Sequence, residues 1–248
     1  MAPETGYDRA MTPPILAAWA VHLYTALGAV IALLAWEATA RNRYGMAFVW
    51  MAVALFIDCT DGTLARRVRV KEILPQFDGA KLDDIVDYLN YVVVPVVLAY
   101  HAGLIPAGLS GVLVGALPLL ASGYGFCHAS AKTPDHFFTG FPSYWNVVVF
   151  YFYVLATPIW FNVATLVLFS FLVFVPMRYF YPSRTPTARR TTQLLGVVWA
   201  LCFVMLIVTF PTPPRWLAWL SLFFPAYYVT MSVHLHLRSR PQRAGVNG

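Results

Sequence analysis

Long, nearly uninterrupted runs of apolar residues are the feature that most limits how this chain can fold. Eight runs reach or approach the length of about 20 residues that an α-helix needs to cross the hydrocarbon core of a bilayer. By residue number they cover approximately 14–37, 44–65, 79–101, 104–124, 144–157, 159–180, 192–210 and 216–236. Barrels are built from short alternating strands, so runs this long favour helices. The pattern predicts an all-α, polytopic integral membrane protein, a bundle of about eight transmembrane helices.

The composition agrees with a chain that is embedded in a membrane. Of its 248 residues, 59% are hydrophobic and 11% are charged, whereas soluble domains carry about 25% charged residues. An ordinary soluble enzyme and a disordered chain are therefore excluded. The fifth run is short. The alternative to two separate spans is that the fifth and sixth runs together form one re-entrant unit. We expect a single membrane domain over 1–248, with additional C-terminal spans at about 192–236.

The basic residues indicate how the helices are oriented. If eight helices cross the membrane and the N-terminus is cytoplasmic, all 17 Lys and Arg residues except Arg41, Arg43 and Arg215 fall on the cytoplasmic side. This is the positive-inside pattern, and it accounts for the net charge of +6 without nucleic-acid binding. It predicts cytoplasmic termini and a cytoplasmic loop at 133–143. The residues that support it include Arg9, Lys132, Arg184, Arg240 and Arg243.

Acidic residues are concentrated in one short stretch. Most of the 11 acidic residues lie within 58–87, and several fall within or at the ends of apolar runs, where a carboxylate costs about 2.5 kcal/mol or more. They are Asp58, Asp61, Glu72, Asp78, Asp83, Asp84 and Asp87. Folding does not require this concentration, which therefore indicates a functional site.

The spacing of the acids places them on two helix faces. Positions i, i+3, i+4 and i+7 share a face on the second run, and positions i, i+4 and i+8 share one on the third. These positions are Asp58, Asp61, Gly62 and Ala65, and then Gly79, Asp83 and Asp87. Carboxylates that converge from two neighbouring helices repel unless cations lie between them. Oxygen ligands favour magnesium or manganese, and two ions suit four carboxylates.

Small residues and an arginine accompany the acids. Gly62, Ala65 and Gly79 leave space for a bulky group, and Arg66 is placed to bind a phosphate through two hydrogen bonds. Together these residues fit a diphosphate site. Small residues serve helix packing equally well, and intramembrane carboxylates also mark ion pathways. An ion-coupled transporter is therefore the alternative from another functional class.

The stretch from Asp58 to Asp87 resembles the signature of the CDP-alcohol phosphotransferase family. That signature reads Asp-x2-Asp-Gly-x2-Ala-Arg, a spacer, and then Gly-x3-Asp-x3-Asp, and every position of it is filled here. The spacer between Arg66 and Gly79 is longer than in most members. In length and in amino-acid sequence, this spacer resembles that of the bacterial members that use choline as the acceptor.

The resemblance implies a transferase of phospholipid biosynthesis in a bacterial inner membrane, with its active site facing the cytoplasm. Such an enzyme transfers the phosphatidyl group of CDP-diacylglycerol to choline and releases CMP, with two Mn²⁺ or Mg²⁺ ions at the diphosphate. By position, the metal ligands are Asp58, Asp61, Asp83 and Asp87, the base is Asp87, and the donor contacts are Asp58, Asp61, Gly62, Ala65, Arg66 and Gly79. Serine, inositol or a glycerol phosphate is the alternative acceptor. The resemblance is also compatible with a homodimer.

Two weaker signals concern the substrates. His22 and Thr25 correspond to an Asn-x-x-Thr pattern that lies near the nucleotide in relatives, although His replaces Asn; the alternative is a polar pair satisfied by helix packing. A quaternary ammonium such as choline is recognised by aromatic ring faces. The candidate choline contacts are Tyr88, Tyr91, Tyr144, Trp145 and Asn146, and for each of them a structural role is the alternative.

Overall fold

A computed structural model of the chain describes residues 12–128, 137–180 and 189–239. These residues divide into two compact units, of which the first ends at Pro95 and the second begins at Val96. Residues 133–136 of the predicted loop lie outside the described ranges, as do Arg9, Lys132, Arg184, Arg240 and Arg243.

The first unit is built from α-helices and one π-helical turn. Its elements are α1 (Pro13–Ala40), α2 (Tyr44–Val68), α3 (Val70–Ile73), α4 (Gly79–Tyr88) and the π-helical turn Leu89–Val93, which leads into α5 (Val94–His101). The last three elements follow one another without a break over residues 79–101, the range predicted for the third span.

Local signals set the ends of these helices. Pro13 opens α1, at a position where its missing N–H is not needed. The turn between α1 and α2 contains Asn42 with a φ of 57°, a left-handed conformation that asparagine tolerates better than most residues. Asp78 caps α4, because its Oδ1 accepts a hydrogen bond of 3.0 Å from the backbone N–H of Lys81.

Close contacts hold α1 against the helices that carry the acids. A Cβ atom at Gly28 would lie 2.4 Å from Val86 Cγ1, so the two helices approach each other where α1 has no side chain. Asn90 Nδ2 donates to the carbonyl of Gly28 at 2.9 Å and to that of Val86 at 3.0 Å. The Tyr24 hydroxyl and Thr60 Oγ1, 2.8 Å apart, are hydrogen-bonded between α1 and α2.

The π-helical turn has a physical explanation in Pro95. Proline has no N–H, so the carbonyl of Tyr91, four residues earlier, cannot receive its α-helical hydrogen bond. The helix widens just before the proline, and the N–H of Val94 bonds to the carbonyl of Leu89. This five-residue spacing defines the π-helix, which is often found at functional sites.

The second unit contains helices and a two-stranded antiparallel sheet. Its elements are α6 (Gly108–Cys127), β1 (Phe137–Thr139), α7 (Trp145–Leu155), α8 (Ile159–Phe174), β2 (Arg178–Phe180), α9 (Arg189–Val208), α10 (Arg215–Ser221) and α11 (Phe223–Ser239). Phe138 lies opposite Tyr179 in the sheet. Helix α6 packs on α8, α10 packs on α7 and α9, and α11 packs on β2 and α9.

Buried polar side chains of the second unit find partners on neighbouring elements. Asn162 Nδ2 donates to the carbonyl of Leu104 at 2.8 Å. The Tyr151 hydroxyl is 2.8 Å from Ser221 Oγ and accepts a 3.0 Å hydrogen bond from Trp199 Nε1. Because polar groups that are removed from water are costly without a partner, these bonds fix how the helices pack.

Three details of the predicted architecture are corrected. The sixth helix was expected to continue to residue 180, but it ends at Phe174, since Pro176 disfavours helical geometry at the preceding Val175, which is extended. Residues 137–139 form β1 rather than a loop. The eighth helix is interrupted between α10 and α11, because Pro225 has no N–H for the carbonyl of Ser221.

The helices confirm an all-α, multi-pass membrane fold. Within the described ranges, five helical stretches are long and apolar enough to span a bilayer: Pro13–Ala40, Tyr44–Val68, Gly108–Cys127, Arg190–Val208 and Arg215–Arg238. Large apolar side chains on them face outward, such as Leu120 and Val208, which are 74% and 73% exposed. Helices α7 and α8 have only 11 and 16 residues, so the total of eight spans stays a prediction.

Candidate active site

Three of the four motif aspartates come together. Asp58 on α2 and Asp83 and Asp87 on α4 each place a carboxylate oxygen within 4.8 Å of the other two. All three side chains are partly buried. Negative charges this close repel one another, and more strongly where water is scarce. A cation held between them would remove that repulsion.

The fourth aspartate, Asp61, has a different environment. It is buried and does not belong to the group of three. Thr25 Oγ1 on α1 donates a 2.8 Å hydrogen bond to Asp61 Oδ2. Helix α1 therefore holds this carboxylate through a residue that the sequence suggested for the nucleotide.

Tyr91 makes direct contact with the acidic group. Its hydroxyl donates a 2.7 Å hydrogen bond to Asp58 Oδ2. The side chain is buried and lies in the π-helical turn, four residues beyond Asp87. The contact therefore joins the helical stretch that carries Asp83 and Asp87 to α2.

Arg66 and its small neighbours lie at the end of α2. Arg66 is exposed, and its Nη2 donates to Thr63 Oγ1 at 3.0 Å. A Cβ atom at Gly62 would lie 3.3 Å from Arg66 Nη1, so the guanidinium group lies over the glycine. Ala65 packs against an apolar cluster that includes Ala18 and Val70. Contacts of these residues with a bound phosphate stay a prediction.

His22 fills the space beside Gly79. A Cβ atom at Gly79 would lie 2.6 Å from His22 Cε1, so the first residue of α4 has to be a glycine while the imidazole keeps this position. His22 is buried against Phe77, with ring centroids 4.3 Å apart. Its Nε2 has no hydrogen-bond partner among the described residues. A role of His22 and Thr25 beside the nucleotide stays a prediction.

The candidate choline contacts divide between the two units. Tyr88 is partly buried and follows Asp87 directly. In the second unit, the rings of Tyr144 and Tyr228 pack edge to face, with centroids 6.1 Å apart. Trp145 Nε1 donates to Ser122 Oγ at 2.7 Å, and Asn146 Oδ1 accepts from the N–H of Val147 at 2.9 Å. Choline binding by these residues stays a prediction.

Sequence reasoning missed two residues that position the site. Asp78 is not a motif position, but an aspartate directly before an amphipathic helix is a recognised N-cap signal. Asn90 is a lone amide in an apolar run, and such a side chain commonly bonds to a neighbouring helix. Both residues fix α4, on which Asp83 and Asp87 lie.

The donor atoms of the acidic group fit a hard divalent cation. Carboxylate oxygens are the side-chain ligands that Mg²⁺ and Mn²⁺ prefer. Three of them lie close together in the first unit, in a chain with only 11 acidic residues. Asp61 offers a fourth carboxylate on the same face of α2, at present hydrogen-bonded to Thr25.

Comparison with characterised proteins gives consistent matches. The chain is 40% identical to the phosphatidylcholine synthase of Legionella pneumophila over 225 residues, which cover 88% of each chain. It is 38% identical to that of Pseudomonas aeruginosa over 86% of this chain and 89% of the relative. The enzyme of the same name from Borreliella burgdorferi is 31% identical over 91% of this chain and 97% of the relative. No protein-family profile matches the chain. The similarity extends well beyond the acidic stretch.

Proposed function

The chain belongs to the phosphatidylcholine synthases of the CDP-alcohol phosphotransferase family, and we propose that it transfers the phosphatidyl group of CDP-diacylglycerol to choline. The observation that carries this proposal is the similarity to phosphatidylcholine synthases over most of both chains. The close approach of Asp58, Asp83 and Asp87 supports the location of the chemistry in the first unit.

The reaction forms one bond and breaks one. The hydroxyl oxygen of choline attacks the phosphorus that carries the diacylglycerol, and the bond from this phosphorus to the bridging diphosphate oxygen breaks. CMP leaves with the bridging oxygen. Asp87 accepts the hydroxyl proton of choline as general base.

The acidic residues would also hold the metal ions. We propose Asp58, Asp83 and Asp87 as ligands, together with Asp61 from the same face of α2. Mn²⁺ or Mg²⁺ held by these residues would supply positive charge that stabilises the diphosphate and the departing CMP. Arg66, whose guanidinium is exposed at the end of α2, would add two hydrogen bonds to a phosphate.

The lipid donor indicates where the protein is located and which way its active site faces. We propose that the protein resides in the bacterial inner membrane with both termini and the acidic site on the cytoplasmic side. The acyl chains of CDP-diacylglycerol then stay in the bilayer, while choline and CMP exchange with the cytosol. The molar mass of the protein–detergent complex distinguishes a monomer from the homodimer that the family resemblance allows.

An acceptor panel tests the proposed reaction. Purified protein in detergent is mixed with Mn²⁺ and CDP-diacylglycerol, and then with labelled choline, serine, inositol or glycerol 3-phosphate. We expect labelled phosphatidylcholine and an equal amount of CMP from choline alone. Product from another acceptor instead would contradict the choline assignment. CMP formation in detergent, where no transmembrane gradient exists, would exclude transport as the main activity.

A pair of neighbouring variants tests the base. Asp87→Asn should lower turnover about 10²- to 10⁴-fold, the usual contribution of a general base. Asp84→Asn removes a carboxylate of the same helix that does not belong to the group of three and is rotated by about 100° from Asp83, and it should stay near wild-type turnover. Equal activity of Asp87→Asn and wild type would remove Asp87 from the mechanism.

A further inference from the structure

The hydroxyl of Tyr91 binds one of the three clustered carboxylates directly. Its 2.7 Å hydrogen bond ends on Asp58 Oδ2, and a hydrogen bond to a charged group is shorter and stronger than one between neutral groups. A carboxylate rotates as a unit, so a bond to one of its oxygens also fixes the direction of the other. Tyr91 therefore restricts how Asp58 is presented to Asp83 and Asp87.

The backbone around Tyr91 is itself held in place. Tyr91 lies in the middle of the π-helical turn Leu89–Val93, just before Pro95. Its neighbour Asn90 is bonded to the carbonyls of Gly28 and Val86, which attaches this turn to α1. The side chain of Tyr91 is only 6% exposed, so its ring has few other orientations available.

We infer that Tyr91 is a positioning residue for the metal site. It holds the Asp58 carboxylate in the orientation in which this residue, Asp83 and Asp87 bind a divalent cation together. Outer hydrogen-bond partners of metal ligands act in this way elsewhere, and their removal commonly lowers metal affinity by about 10- to 100-fold. The inference rests on the proposed function, since it assumes that the three carboxylates hold a metal ion.

This role differs from the choline contact that the sequence suggested for Tyr91. A cation–π contact uses the face of the ring and does not require the hydroxyl. A positioning role depends on the hydroxyl and is insensitive to the ring. Tyr91→Phe keeps the ring and removes only the oxygen, so it separates the two roles.

The chain offers a matched control. The hydroxyl of Tyr24 also makes a 2.8 Å hydrogen bond to α2, but to Thr60 Oγ1 rather than to a carboxylate. Tyr24→Phe therefore removes a tyrosine hydroxyl between helices of the same unit without touching the acidic group. Any general loss of helix packing should affect both variants alike.

The test measures binding of Mn²⁺ alone to detergent-solubilised protein, with free Mn²⁺ followed by electron paramagnetic resonance. We expect Tyr91→Phe to weaken binding about tenfold, while Tyr24→Phe stays within about twofold of wild type. In the transfer assay, Tyr91→Phe should need correspondingly more Mn²⁺ for half-maximal rate and regain most of its kcat at saturation. Thermal unfolding of both variants shows that they are folded.

Three outcomes would overturn the inference, and they are distinguishable. If wild type binds Mn²⁺ and Tyr91→Phe binds it equally well, Tyr91 does not position the ligand, and the proposed function is unaffected. If wild type binds no Mn²⁺ and forms phosphatidylcholine without divalent cations, the metal site and the role of Tyr91 are both wrong. A loss of affinity shared equally by Tyr24→Phe would show general destabilisation instead.

Discussion

Asp61 depends on a residue of another helix for its buried position. Its side chain is 6% exposed, and Thr25 Oγ1 donates to it at 2.8 Å. A carboxylate that is taken out of water without such a donor costs several kcal/mol. Thr25 therefore stabilises the fold through Asp61, whatever contact it makes with a nucleotide.

We predict that Thr25→Val, which keeps the shape and removes the hydroxyl, destabilises the protein by about 1.5–3 kcal/mol, the range for hydrogen bonds to charged groups. Thermal unfolding in detergent measures the loss. Thr39→Val is the matched control, because Thr39 is a fully buried threonine of the same helix whose Oγ1 donates to the neutral carbonyl of Ala35 at 2.8 Å. Thr39→Val should destabilise the protein by less than about 1 kcal/mol. Equal losses in the two variants would contradict the stabilisation that we assign to the hydrogen bond from Thr25 to Asp61.

The sequence identified the acidic residues of the site, but not the hydrogen bonds that orient them. The spacing of Asp58, Asp83 and Asp87 defines two helix faces, and one face meets the other in the structure. Their partners are remote in sequence: Tyr91 is 33 residues from Asp58, and Thr25 is 36 residues from Asp61. Helical periodicity relates residues within one helix only, so such pairs become visible once the helices pack.

The contact between α1 and α4 is the element-scale feature on which the site depends. The two helices meet where Gly28 faces Val86, with room for no Cβ atom. Asp83 and Asp87 lie on the same helix as Val86. A side chain at position 28 would therefore displace the residues that carry the chemistry.

We predict that Gly28→Ala destabilises the protein by about 1–3 kcal/mol, the usual cost of overpacking a filled interface. Its gain in helix propensity of less than about 1 kcal/mol opposes this only in part. The double variant Gly28→Ala/Val86→Ala removes the Cγ1 atom that the new methyl group would meet. The double variant should lose less stability than the two single variants lose together, by about 1 kcal/mol or more. Thermal unfolding measures these losses. Additive losses would contradict direct contact between these positions.

Helix positions were predictable from hydropathy, and helix breaks were not. The runs correspond closely to the observed helices, and the third coincides with the stretch 79–101. The misses occur at Pro176 and Pro225, which lie inside apolar runs. Hydropathy averages over a window, whereas a proline acts through a single missing N–H and a steric clash with its neighbour. Considering these two prolines separately would have indicated both breaks.

Insertion into a bilayer is the property of the whole molecule that the site requires. Helix α2 has 25 residues, or about 38 Å at 1.5 Å per residue, which exceeds the hydrocarbon thickness of about 30 Å. A helix of this length and hydropathy that crosses the bilayer has its two ends on opposite sides of the membrane. Asp58 and Asp61 are nearer its C-terminal end, so the side on which that end lies decides which aqueous compartment the acidic group faces.

We predict that the C-terminal end of α2 is cytoplasmic, because Arg66 and Arg67 lie in its last turn and Arg69 and Lys71 follow it, whereas only Arg41 and Arg43 flank its start. Cysteine labelling with a membrane-impermeant maleimide tests this after the native cysteines are replaced by serine. Arg43→Cys and Gln76→Cys are a matched pair, since both positions are exposed and one precedes α2 while the other lies between α3 and α4, beyond its end. Intact spheroplasts should label Arg43→Cys, and Gln76→Cys should label only after permeabilisation. The reverse result would place the carboxylates on the side away from cytosolic choline and CMP, and would contradict the orientation together with the cytoplasmic site.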